Sequence, residues 1–79
     1  MKKILLTGVA PEVTEEKVAE ALSRFGPVGK VTIVRDGDSE HPVVVVEMAL
    51  TDRQAYDLTT RITDIWHDGR HVDARLLMH

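Results

Sequence analysis

The run Val43-Val44-Val45-Val46, entered through His41-Pro42 and left through Glu47-Met48, constrains this chain more than any other stretch. Branched side chains suit a pleated sheet, so consecutive valines predict a strand. Alternation across that strand puts Val44, Val46 and Met48 on one face and Val43, Val45 and Glu47 on the other. One face can seal a core. The other offers valine to something outside it, and what meets that second face is the functional question.

Seventy-nine residues suffice for one compact domain and are too few for two, so residues 1–79 are read as a single domain. A chain this short buries only about 60 % of its unfolded surface. It has no cysteine, so neither a disulfide nor a thiolate metal site supplements the core, which fits a reducing compartment. No apolar run reaches the roughly 18 residues of a membrane span. Lys2-Lys3-Ile4-Leu5-Leu6 is interrupted by Thr7, Gly8 and Pro11 too early for a signal peptide. The expectation is a cytoplasmic protein that does not engage a membrane. Its formal net charge is −3, from thirteen acidic and ten basic residues. Strong nonspecific polyanion binders are usually basic overall, because neutralising phosphates releases counterions. The balance leaves room only for a local basic patch.

Ile4, Leu5 and Leu6 predict a first strand that stops at Gly8. Thr14 is placed as a helix N-cap, with Glu15 and Glu16 in the first turn, where the helix dipole favours negative charge. Val18, Ala21, Leu22 and Phe25 then follow at helical spacing until Gly26-Pro27. Val31 to Val34 predict a second strand, joined to the valine strand through the turn residues Asp36-Gly37-Asp38-Ser39. Thr51 and Gln54 form a capping box for a second helix, whose buried stripe is Ala55, Leu58 and Ile62. Asp68-Gly69 turns the chain into a last strand with Val72, Ala74 and Leu76 on one face.

Strand, helix, strand, strand, helix, strand in so few residues predicts an α+β fold. It would be a two-layer, ferredoxin-like βαββαβ sandwich, a four-stranded antiparallel sheet with both helices on one face. Crossover handedness places the first and third strands side by side in the middle. The expected core is Ile4, Leu6, Val18, Leu22, Phe25, Val31, Ile33, Val44, Val46, Met48, Ala55, Leu58, Ile62, Val72 and Ala74. The uncovered face would carry Lys3, Leu5, Thr7, Thr32, Val34, Val43, Val45, Glu47, His71, Asp73 and Arg75.

Over nearly its whole length the chain resembles the RNA recognition motif. Ile4-Leu5-Leu6-Thr7-Gly8-Val9 is similar to that family's first-strand hexamer, and His41 through Met48 to its third-strand octamer. Phe25-Gly26-Pro27-Val28 resembles the exit of its first helix, and Asp68-Gly69-Arg70 the turn before its last strand. The resemblance implies single-stranded RNA as partner. The family stacks bases on aromatic rings at the second hexamer position and the third and fifth octamer positions. Here those positions hold Leu5, Val43 and Val45; His41 opens the octamer where a basic residue is usual, and Pro42 stands where glycine is common. Members resembling the polypyrimidine-tract-binding type bind RNA with aliphatic sheet faces.

The candidate RNA-binding set is therefore Lys3, Leu5, Thr7, Lys30, His41, Val43, Val45, His71 and Arg75. Leu5, Val43 and Val45 would touch bases, and Lys3, Lys30, Arg35 and Arg75 phosphates. Glu47 and Asp73 project from the same face and would repel phosphate. The alternative is a protein-interaction or self-association module, a homodimer included, using the same aliphatic face. A further alternative is that Leu77, Met78 and His79 cover it. His67 and His71 flank Gly69 across a turn and are read as structural or solvated, so no metal is expected. Trp66 is expected to pack over the end of the second helix, the alternative being a ring offered to a peptide. No nucleophile sits beside a base in a distinct motif and Gly8 begins no phosphate loop, so neither catalytic residues nor a cofactor are expected. Metal-carrying domains and acylphosphatases share the strand order, but the first need a cysteine pair and the second a phosphate-cradling loop that Val9-Ala10-Pro11 does not resemble.

Overall fold

The computed structural model describes residues 1–35, 37, 40–65 and 72–77, with backbone alone at 63–65. The expected order is present as β1 (Lys2–Thr7), α1 (Glu15–Leu22), β2 (Val28–Val34), β3 (Val43–Met48), α2 (Asp52–Ile65) and β4 (Asp73–Leu77). The strands form one four-stranded sheet in the order β2-β3-β1-β4. Every neighbouring pair is antiparallel, and β1 and β3 occupy the centre as expected.

Alternation along β3 is complete: Val44, Val46 and Met48 are fully buried, and Val43, Val45 and Glu47 are half-buried. Pro42 continues the buried series and is itself fully enclosed. Opposite them, Ile4 and Leu6 of β1 pair with Val46 and Val44. Val18 and Leu22 of α1 and Ala55, Leu58 and Ile62 of α2 belong to the same buried cluster, so both helices cover one face of the sheet. Fully burying a side chain such as Leu6 contributes about 1.5–3 kcal/mol. Among the described residues the core holds no polar or charged side chain.

Both helix starts follow the expected chemistry. The Thr14 hydroxyl accepts from the Lys17 amide at 3.2 Å. At α2 the capping box is reciprocal: the Gln54 amide donates to the Thr51 hydroxyl at 3.1 Å, and the Thr51 amide to the Gln54 side-chain oxygen at 2.9 Å. Val13 and Leu50, each just before its cap, are buried in the cluster with Val18 and Ala55, which stand in the fourth helical position. That spacing is a hydrophobic staple at both helices, and it fixes the angle at which the chain enters each one.

The structure departs from expectation in several places. Helix α1 ends at Leu22, with the Ser23 amide bonded to the Ala19 carbonyl, so Phe25 packs on the core from the turn that follows. Leu76 pairs with Ile4 on the core side, but β4 is an edge strand with a neighbour on one flank only, and Leu76 stays 44 % exposed. Strand β2 begins earlier than expected and carries an irregularity. Val28 pairs with Met48 and Lys30 with Glu47, so Gly29 is an extra residue, a β-bulge. A side chain at Gly29 would meet the Met1 thioether methyl and sit 3.1 Å from the Glu47 carbonyl oxygen. The expected turn at Asp68-Gly69 and the packing of Trp66 lie outside the described residues, as do Asp36, Asp38 and Ser39.

Thr51→Ala removes one half of the α2 capping box, and urea unfolding should show a loss of about 1 kcal/mol. The Lys2 ammonium lies 2.8 Å from the Asp52 carboxylate and, by hydrogen bond first and charge second, holds that carboxyl below its ordinary 3.8. A depressed carboxyl stabilises the fold above its unfolded pKa, and the effect disappears as pH falls through the lowered folded value. Asp52→Asn should therefore be less stable than the parent at neutral pH, and the difference should vanish in acid. The difference should be small, because the Asp52 side chain is 98 % exposed.

Candidate nucleic-acid interface

Cross-strand register arranges the uncovered face of the sheet as a grid. One row reads Lys30, Glu47, Lys3 and Leu77 across β2, β3, β1 and β4. The next reads Thr32, Val45, Leu5 and Arg75. Beyond it lie the pairs Val34 with Val43 and Thr7 with Asp73. At about 4.8 Å per strand, the middle row is about 14 Å wide. Its floor is aliphatic: Leu5, Val43 and Val45 are half-buried and Val34 is 41 % exposed. Lys3, Thr7, Lys30, Thr32, Asp73 and Arg75 stand exposed around that floor.

The bulge at Gly29 determines who neighbours whom. Val28 faces the core beside Met48, and strict alternation from there would turn Lys30 inward. The extra residue instead aligns Lys30 with Glu47. Glu47 consequently stands between two lysines, Lys30 and Lys3, one on each neighbouring strand. Opposite charges directly across a strand pair contribute roughly 0.2–1 kcal/mol. Glu47, expected to repel phosphate, thus has a cation directly across from it on each side. Asp73 differs, since it faces Thr7 and stands on an edge strand. Lys3, Lys30 and Arg75 against Glu47 and Asp73 leave the face slightly positive on a chain of net charge −3.

Of the candidate residues, Lys3, Leu5, Thr7, Lys30, Val43, Val45 and Arg75 come together on this one face. His41 is exposed and precedes Pro42, outside the strand, while His71 lies outside the described residues. Arg35, expected among the phosphate contacts, bonds to the loop before α1. Its guanidinium donates to the carbonyls of Val13 at 2.7 Å and Pro11 at 3.2 Å, tying the end of β2 to the loop before α1. Leu77, first read as a possible cover, takes its own place in the grid beside Lys3. Its alternation with Asp73 and Arg75 was the available signal. Met78 and His79 lie outside the described residues.

Residues 4–53 match the RNA recognition motif, and the chain belongs to that family, whose domains are in general non-catalytic RNA-binding modules. No curated protein matches the sequence. Among solved structures, the third RNA recognition motif of Pes4 superposes with a TM-score of 0.81 at 11% identity, covering 100% of this chain and 94% of that one. The Rna15 domain with bound RNA (GU) gives 0.76 at 14% identity, covering 98% and 83%. The PID-3 TOFU-6 RRM domain complex gives 0.74 at 10% identity, covering 98% and 85%. These likenesses define the fold. Among the described residues no helix is long and apolar enough to cross a membrane.

Arg35→Ala removes donors to two loop carbonyls, so it should lower stability by about 1–2 kcal/mol. Hydrogen exchange should quicken at the Val13 amide, which bonds to the Ala10 carbonyl within that loop.

Proposed function

We propose that this chain binds single-stranded RNA weakly across the open face of its sheet. The observation that carries this reading is the middle of the grid. A smooth Val45–Leu5 floor is bounded by Arg75 on one flank, with Lys30 and Lys3 in the adjoining row. Aliphatic side chains give bases an apolar surface, and the cations lie where a strand crossing the sheet would pass its phosphates. Base stacking on an aromatic ring is worth about 1–3 kcal/mol per base. With leucine and valine at those positions, affinity should fall short of an aromatic-bearing domain by a factor of roughly a hundred or more. No cofactor or catalytic group enters this reading.

A second reading seats a protein, or a second copy of the chain, on the same face. It is favoured by Val34, an aliphatic side chain 41 % exposed beside Val43. The two readings differ in their salt dependence. Phosphate contact by Lys3, Lys30 and Arg75 implies a log–log slope of about −2 for single-stranded RNA. Aliphatic association is nearly indifferent to salt.

The test is a backbone-amide NMR titration with mixed short RNA oligomers at low and high salt. Shifts should cluster at Leu5, Val43, Val45 and Arg75, fade with salt, and weaken about tenfold or more in Arg75→Glu. Spectra unmoved at millimolar RNA would sink the RNA reading. A mass that rises with concentration and drops in Val45→Asp would then establish self-association.

A further inference from the structure

The open face presents two carboxylates in different surroundings. Glu47 lies between Lys30 and Lys3, with a cation directly across from it on each neighbouring strand. Asp73 has Thr7 opposite it on β1 and stands on the edge strand β4. Its side chain is exposed, and Val72 and Ala74 on either side of it are buried, so it projects from the open face beside Arg75. A carboxylate on a face that meets phosphate is a liability unless it accepts hydrogen bonds from the bases.

We propose that Asp73 makes this face selective for guanine. The inference rests on the RNA reading above and names which base that site prefers at its β4 end. A carboxylate is an acceptor only, with two oxygens side by side. Guanine alone among the four bases offers two adjacent donors on its Watson–Crick edge, N1–H and the 2-amino group. Adenine and cytosine each place one amino group beside a ring nitrogen that is itself an acceptor. Uracil places a single N–H between two carbonyls. Either arrangement sets an acceptor against one Asp73 oxygen.

Thr7 completes the edge. Side chains directly opposite across an antiparallel pair have their Cβ atoms about 4.5–5.5 Å apart, a span comparable to the width of a base's Watson–Crick edge. With Asp73 on N1–H and the 2-amino group, the Thr7 hydroxyl is placed to donate to guanine O6. The neighbouring row supplies Leu5 beneath the ring and Arg75 beside it, whose planar guanidinium can lie on a purine face.

The test compares short uridine oligomers carrying one central uridine, guanosine, inosine, adenosine or cytidine. Each is titrated at low salt against the parent chain and against Asp73→Asn, whose amide spectrum verifies that it folds. The guanosine oligomer should bind about tenfold or more tighter than all-uridine. Inosine, which lacks the 2-amino donor, should fall between them. In Asp73→Asn the guanosine advantage should collapse to within about twofold, while the all-uridine oligomer binds as well as before or slightly better. Thr7→Ala should reduce the advantage without abolishing it. Equal binding of every oligomer by the parent would overturn the selectivity and leave the RNA reading standing. So would a uniform strengthening in Asp73→Asn with the ranking unchanged, which would make Asp73 a repulsive bystander. If no oligomer binds, the RNA reading fails and the selectivity fails with it.

Discussion

A one-residue slip of β3 would exchange the two faces of the sheet, and the valine run cannot prevent that by itself. Val44 and Val46 are chemically the same as Val43 and Val45. Register in a strand is specified by contrast between its faces, and four valines in a row supply none. The contrast comes from the residues around them. Glu47 against Met48, and Lys3 and Thr7 against Ile4 and Leu6 across the pairing with β1, admit only one choice of inward face in which no charge is buried. Pro42, enclosed at the start of the strand, adds a marker on the buried side. Every other feature of the molecule inherits that choice: which valines pack under the helices, and which form the floor of the open face.

Element order and the centre of the core were legible because they depend on local chemistry. Periodic apolar residues, a capping threonine, and Gly-Pro after a stripe act within a few residues of where they stand. Val9, Ala10, Val13 and Leu50 were not placed in the core from the sequence, although all are buried. They lie in connections, where no helical or strand period operates. Val13 and Leu50 did carry a signal, for each sits immediately before a capping threonine with a small apolar residue in the fourth helical position. Phe25 shows the opposite error: it falls at helical spacing from Val18 and Leu22, yet the helix ends at Leu22 and the ring reaches the core from a turn. Periodicity locates a side chain's face more reliably than the end of an element.

Membership of the open face was legible for the same reason, since alternation along each strand settles it. Neighbour relations across strands were not. The pairing of Glu47 with Lys30 depends on the single extra residue at Gly29, and a bulge leaves little trace in a sequence beyond a glycine near a strand's start. That pairing makes Glu47 part of a Lys-Glu-Lys row with a net charge of one positive unit. The loop contacts of Arg35 were not legible for a related reason. Its partners, the carbonyls of Pro11 and Val13, are more than twenty residues away and belong to the backbone, so no side-chain pattern marks them.

On the RNA reading proposed above, aliphatic residues in place of aromatic rings shift the work of discrimination from the centre of the sheet to its margin. Stacking tolerates any base, because every base has a π-face, and so it contributes affinity more than choice. An aliphatic floor of Leu5, Val43 and Val45 is weaker and equally permissive. Whatever preference such a face has must come from hydrogen-bonding groups with fixed direction. The described face carries few of these. Lysines are flexible point charges suited to phosphate, and Glu47 has one directly across from it on each neighbouring strand. The remaining directional groups are Thr7, Thr32, Asp73 and Arg75. Three of those four converge where β1 meets β4, since Asp73 lies opposite Thr7 and Arg75 opposite Leu5. A sheet with the same floor but a bare β4 margin would hold any single strand alike. On this one, the β4 side presents an acceptor, a hydroxyl and a guanidinium held by two paired strands, which a base would meet on that reading.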